Sequence, residues 1–156
     1  MRNELEFSKN LIKGKIAETI FEQMIRGEKQ YTVIPFGYEH TMPTLAQHRH
    51  LVEIQRVMDN ISDAPDFALI SEDKTKVYMV EVKYTSHATA GDLKKIADHL
   101  VKRWDPSWLF VATPHGFFFS PSSTIAKNEP ISKLSENWVS PERQREYLNL
   151  LNEFEK

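Results

Sequence analysis

Residues 65–83 read Pro65-Asp66-Phe67-Ala68-Leu69-Ile70-Ser71-Glu72-Asp73-Lys74-Thr75-Lys76-Val77-Tyr78-Met79-Val80-Glu81-Val82-Lys83. Two runs rich in aliphatic, β-branched and aromatic residues, 66–70 and 76–83, flank the polar segment 71–75. The pattern predicts an antiparallel hairpin with a short turn. Strand side chains alternate between faces, so Val77, Met79, Glu81 and Lys83 share one side. Asp66 starts its strand and falls opposite the Glu81/Lys83 end of the neighbour. Two acids and a lysine therefore converge at one point of a sheet, a demand that packing alone does not make.

Two carboxylates this close repel each other and raise a pKa unless a cation sits between them. Mg²⁺, with Mn²⁺ able to substitute, suits such a site because hard ions prefer oxygen ligands and need few from protein. Asp66 and Glu81 are the expected ligands, with the backbone carbonyl of Val82 a third and water and a substrate phosphate completing the shell. The ion would polarise the phosphate and acidify a bound water. Lys83 would position that water or stabilise charge on the phosphate oxygens. The expected reaction is hydrolysis of a phosphodiester without a covalent intermediate. The competing reading is a surface salt bridge on a hairpin, since an isolated E-x-K carries little information. The row Val77-Met79-Glu81-Lys83 weighs against it: the row is expected to be at least partly buried, and buried charges need a partner or a metal.

The pairing of Pro65-Asp66 with Glu81-Val82-Lys83 resembles the signature of the PD-(D/E)xK nuclease superfamily, which includes restriction endonucleases, Holliday-junction resolvases and repair exonucleases. Members often carry a further acid on a preceding helix, and Gly14-Lys15-Ile16-Ala17-Glu18 is similar to that G-x-x-x-E element. The resemblance spans about residues 10–113 and implies a restriction-endonuclease-like αβββαβ core, with Glu18 an auxiliary catalytic acid and metal ligand. Leu11, Ile12, Ile16, Ile20, Phe21 and Met24 recur at helical spacing and predict an apolar stripe. Glu18 lies at its margin beside Phe21 and Ile25. Glu22 lies farther round and is the substitute if the helix is turned. An ordinary solvated glutamate at position 18 is the alternative.

At 156 residues the chain is expected to form one domain, 1–156, with a core over about 10–113 and a C-terminal loop and docking helix over 120–156. Outside the hairpin, residues 31–38 predict a strand that Pro35 pushes toward an edge, and 44–59 a helix. Residues 89–104 predict a helix with Leu93, Ile96, Ala97, Leu100, Val101 and Trp104 on one stripe. The run 108–112 suits a buried parallel strand after a helical crossover, and 116–119 a further short strand. Residues 120–139 predict a surface loop. Ser140 caps a last helix with Pro141 at its first position, docked by Tyr147, Leu148, Leu151 and Phe154. The fold class is α/β, a central mixed β-sheet flanked by helices.

Cysteine is absent, which removes disulfides and thiolate chemistry. No apolar run is long enough for a membrane span and no signal-peptide core follows Met1, so a cytoplasmic location is expected. His40, His48 and His50 lack zinc-ligand spacing; His48, Arg49 and His50 are candidate phosphate contacts. Lys94, Lys95, Lys102 and Arg103 lie off the apolar stripe of their helix, diluted by Asp92 and Asp98, and read as solvation before they read as a nucleic-acid surface. Tyr84, Thr85, Ser86 and His87 follow Lys83 directly and can line the site. A formal net charge of −2 is unlike a protein that grips DNA unaided. It implies a local basic face or a protein partner that supplies DNA affinity. The expectation is a metal-dependent DNA endonuclease acting on duplex or branched DNA, with a homodimer implied by the resemblance. The rivals are an inactive nuclease-fold scaffold or DNA-binding subunit, and a nuclease acting on RNA.

Overall fold

The computed structural model describes residues 2–36, 64–86 and 89–154. The helix expected over 44–59, residues 37 and 38 of the first strand, and His40, His48, Arg49, His50 and His87 lie outside the described residues. The element order is α1 (Arg2–Glu28), β1 (Tyr31–Pro35), β2 (Phe67–Ser71), β3 (Val77–Tyr84), α2 (Ala90–Arg103), β4 (Ser107–Thr113), β5 (Gly116–Pro121), α3 (Ser122–Ala126) and α4 (Pro141–Glu153). Among the described residues the strands form one five-stranded sheet in chain order. The β1–β2, β2–β3 and β4–β5 pairs are antiparallel, and β3–β4 is parallel. The parallel pair is the one joined by a helix, as a crossover requires. The protein is therefore α/β, with a mixed sheet flanked by helices.

The hairpin forms as its sequence implies. Phe67 pairs with Val80 and Ile70 with Val77. In the turn, the Asp73 carboxylate accepts from Ser71 Oγ at 2.7 Å, from Thr75 N at 3.0 Å and from Thr75 Oγ1 at 2.7 Å. These bonds favour the ionised acid and hold its pKa down at about 2.

The row Val77-Met79-Glu81-Lys83 is partly buried, as expected, but only in its middle, at Met79 and Glu81, and the opposite face lies deeper. Val80 and Val82 face the main core, whereas Val77 is 49% exposed and Lys83 is exposed. The reason is coverage. Helix α1 lies over the Val80/Val82 side, and α2 covers the opposite side mainly at β4, where Leu93 and Ala97 meet Leu109 and Val111. The ends of the row stay open at Val77 and Lys83, and Met79 and Glu81 are half-buried between them.

Helix α1 buries Ala17, Ile20, Phe21, Met24 and Ile25, the i, i+3, i+4, i+7, i+8 set of one helix face. Phe21 is at its centre, with ring centroids 5.4 Å from Phe67, 4.8 Å from Phe110 and 6.1 Å from Phe119. The stripe does not extend to Leu11 and Ile12 as expected: both stay exposed and line an open groove with Leu150 and Phe154. Residues 120–139 are also more than a surface loop. They contain α3, and Leu134 and Val139 are buried. Leu134 N donates to Phe117 O and Phe119 N to Ser132 O, so this segment borders β5 through backbone bonds. Scattered apolar residues within a polar stretch left no period by which to see this.

Helix α4 begins as its sequence implies, with Ser140 Oγ accepting from Arg143 N and Pro141 in the first turn. Glu28, at the end of α1, accepts from Ser140 N at 2.6 Å and pairs with Arg143 at 3.1 Å. Leu151 is buried and Tyr147 and Leu148 pack against the core, but Phe154, expected to dock, is 60% exposed at the helix C-cap. Replacing Phe21 by alanine removes the ring that joins α1 to three strands. Equilibrium urea unfolding of Phe21→Ala should show a loss of about 3–5 kcal/mol.

Candidate functional site

The register sets the site. Beyond the Phe67–Val80 pair, Asp66 falls opposite Glu81, and Pro65 would fall opposite Val82. Proline has no N–H to give the Val82 carbonyl, so the backbone ladder cannot continue there. The Val82 N–H goes to the Asp66 side chain, whose Oδ2 accepts from it at 2.8 Å. Its own backbone carbonyl accepts from Phe36 N at 2.8 Å, tying the same residue to the end of β1. The N–H and C=O of one strand residue project to the same edge, so the Val82 carbonyl faces the gap that Asp66 occupies.

Glu81 and Glu18 both hydrogen-bond to the Asp66 carboxylate. Burial pushes the Glu81 carboxyl up to about 9, with the hydrogen bond to Asp66 and the charge on Asp66 adding to the rise. Burial raises Glu18 to about 8, again reinforced by Asp66. Lys83 opposes both shifts, which places its ammonium within electrostatic reach of the two acids. Three acids from three elements thus meet around Asp66: Glu18 from α1, Asp66 from the start of β2, and Glu81 from β3. Both rises favour the protonated form of Glu18 and Glu81 beside Asp66. Glu22 lies elsewhere and pairs with Arg26 at 3.7 Å, so the helix is turned as its periodicity implied.

Further basic residues belong to this surface and were not singled out from the sequence. Lys15 is attracted to Glu18, and Lys13 Nζ lies 5.3 Å from the ring centroid of Tyr84 at the end of β3. The signal was present in the helical spacing, since Lys15 precedes Glu18 by three residues and shares its face. On α2, Lys94 pairs with Asp98 at 2.8 Å, in keeping with a solvated face.

The donor set suits a hard cation, being all oxygen. Among the described residues, however, no group of three His, Cys, Asp or Glu side chains already stands in a metal-holding arrangement. Glu18, Asp66 and Glu81 interact with one another in the metal-free arrangement, and holding an ion would require them to rearrange around it. No helix among the described residues is long and apolar enough to cross a membrane. The chain matches no protein-family model and no curated protein.

Without metal, the folded-state values of Glu18 and Glu81 lie above the ordinary 4.5, so the fold binds more protons than the unfolded chain. Their contribution to stability is complete below about pH 4.5 and is lost as pH rises toward 8 and 9. Urea unfolding in chelator should show stability falling across this window. Glu81→Gln, which cannot ionise, should flatten the fall; an unchanged slope would place Glu81 at its ordinary value.

Proposed function

We propose that this protein is a metal-dependent nuclease that hydrolyses phosphodiester bonds in DNA, with Asp66, Glu81 and Lys83 as its central residues and Glu18 as an auxiliary acid. One observation carries the reading: three carboxylates from separate elements are drawn together where the β2–β3 ladder stops, where burial and the Asp66 charge push the pKa of two of them upward. A fold has no structural need for that cluster, and a divalent cation relieves it.

Asp66, Glu81, Glu18 and the Val82 carbonyl would hold Mg²⁺ or Mn²⁺. When bound, the ion supplies Lewis-acid polarisation of a phosphate and an acidified water. Asp66, fixed by Val82 N and by its backbone bond to Phe36, keeps its carboxylate at one point of the sheet edge. Lys83 is exposed beside Glu81 and offers an ammonium to the phosphate oxygens or to the attacking water. Lys13 and Lys15 give the α1 side a local positive border, the kind of basic face that a net charge of −2 conceals. The finer expectations belong to the same reading: a restriction-endonuclease-like core, a PD-(D/E)xK relationship and a cytoplasmic location. So does a homodimer or protein partner, for which the exposed Leu5, Leu11 and Ile12 of α1 offer an apolar surface.

The rival of another class is a non-catalytic subunit that keeps the fold, favoured by the lack of a ready-made metal group among the described residues. Cleavage decides between them. Purified protein with Mn²⁺ or Mg²⁺ should cut single-stranded, duplex, flapped or four-way-junction DNA. Glu81→Ala should abolish cutting, and Lys83→Ala should slow it by about 10²-fold or more. Cleavage that survives both substitutions would come from a contaminant, and activity confined to RNA would move the substrate class. Absence of both metal binding and cleavage would leave the scaffold.

A further inference from the structure

The row of side chains that carries Lys83 does not end at β3. Lys83 pairs with Val111 on β4, and Val111 pairs with Phe118 on β5. Paired residues on neighbouring strands point to the same face and lie about 4.8 Å apart in the strand-to-strand direction. The three side chains therefore form one line across the sheet, leading from the candidate site toward β5. Val111 and Phe118 line a cavity of about 400 Å³, closed on one side by Gly91 and Leu93 in the first turns of α2 and on the other by Ile125 and Ile131. This volume lies within the range of pockets that take small planar ligands. Its lining is mainly apolar, Phe118 is half-buried, and the polar groups that line it belong to Lys94, Asn128 and Glu129. The first turn of α2 lies at the C-terminal end of β3, the same end as Glu81 and Lys83.

An apolar slot with an aromatic wall and hydrogen-bonding groups at its rim is the chemistry that receives a nucleobase. Its distance from Lys83, one to two strand spacings, is the reach from a nucleotide's phosphate to its own base. A base stacked in a continuous duplex cannot enter such a slot. Resting on the nuclease reading, we propose that the cavity between α2 and β5 binds an unpaired nucleobase of the DNA strand whose phosphate lies at Lys83. The substrate is then single-stranded DNA, or DNA with an unpaired nucleotide at the cleavage point.

Gly91 gives a clean test. A Cβ built there meets nothing within 4 Å, so Gly91→Trp places a bulky ring at the slot's lining without a backbone clash, and a non-glycine residue suits the helix better. The probe is a single-stranded DNA oligonucleotide, compared with the same strand carrying one abasic position scanned along it. Binding is read by fluorescence anisotropy in Ca²⁺ and again in chelator, and the urea midpoint of the variant confirms its fold. Wild type should bind the intact strand roughly tenfold or more tightly than the strand abasic at one position, the loss expected for one stacked base. Gly91→Trp should erase that difference, and Phe118→Leu should reduce it. Equal affinity of wild type for both strands at every position, or a difference that survives Gly91→Trp, overturns the proposal. The same difference seen on RNA but not on DNA overturns its assignment to DNA. Base-dependent binding without metal-dependent cleavage would support the slot and defeat the hydrolytic reading. Glu81-dependent cleavage of fully paired duplex, indifferent to abasic positions, would defeat the slot and leave that reading intact.

Discussion

The hydrogen bond from Val82 N to the Asp66 carboxylate, 2.8 Å long, is the constraint on which the site depends. It forms where the strands part: the Asp66 side chain, and not a β2 backbone carbonyl, takes the Val82 N–H, beside a proline that has no N–H to give the Val82 carbonyl. That substitution draws a carboxylate into the plane of the sheet edge, next to Glu81 and within reach of α1. Everything else at the site follows from where Asp66 is held. Glu81 is brought opposite by register, and Glu18 meets Asp66 because Ala17, Ile20 and Phe21 fix the rotation of α1 on the core.

The same constraint gives the site its electrostatic character. An acid at a sheet edge with two more acids against it, partly out of water, cannot keep all three ionised. Protons supply the missing positive charge in the metal-free protein, with Lys83 and Lys15 reducing the need for them. This is why the net charge of the chain was a poor guide to its chemistry. Clustered acids draw the total down, while the lysines around them form a local basic border.

How far the sequence carried depended on the range of the interactions involved. The hairpin, α2 with its Thr89 cap, and α4 with Ser140 and Pro141 are written in local chemistry and were legible. So was the meeting of Asp66 with Glu81, because a short turn fixes register. The contact of Glu18 with Asp66 needed the helix rotation and a resemblance to a known pattern, since no local rule links α1 to β2. That Val80 and Val82 would form the deeper face of β3 was not legible, because alternation names the two faces and cannot say which one a distant helix will cover. The packing of Leu134 and Val139 was missed for the same reason: tertiary contacts, and no period, bury them. The slot beside Phe118 was also invisible, as it arises where α2, β4, β5, α3 and the segment after α3 meet.

The central claim is that the acids around Asp66 hold protons in place of a divalent cation. Calorimetric titration of Mn²⁺ into the protein at about pH 7, in two buffers of different ionisation enthalpy, counts the protons that leave. The account predicts saturable binding with release of between about one and two protons per ion, lost in Asp66→Asn. Saturable binding with no proton release, or no binding at all, would contradict it.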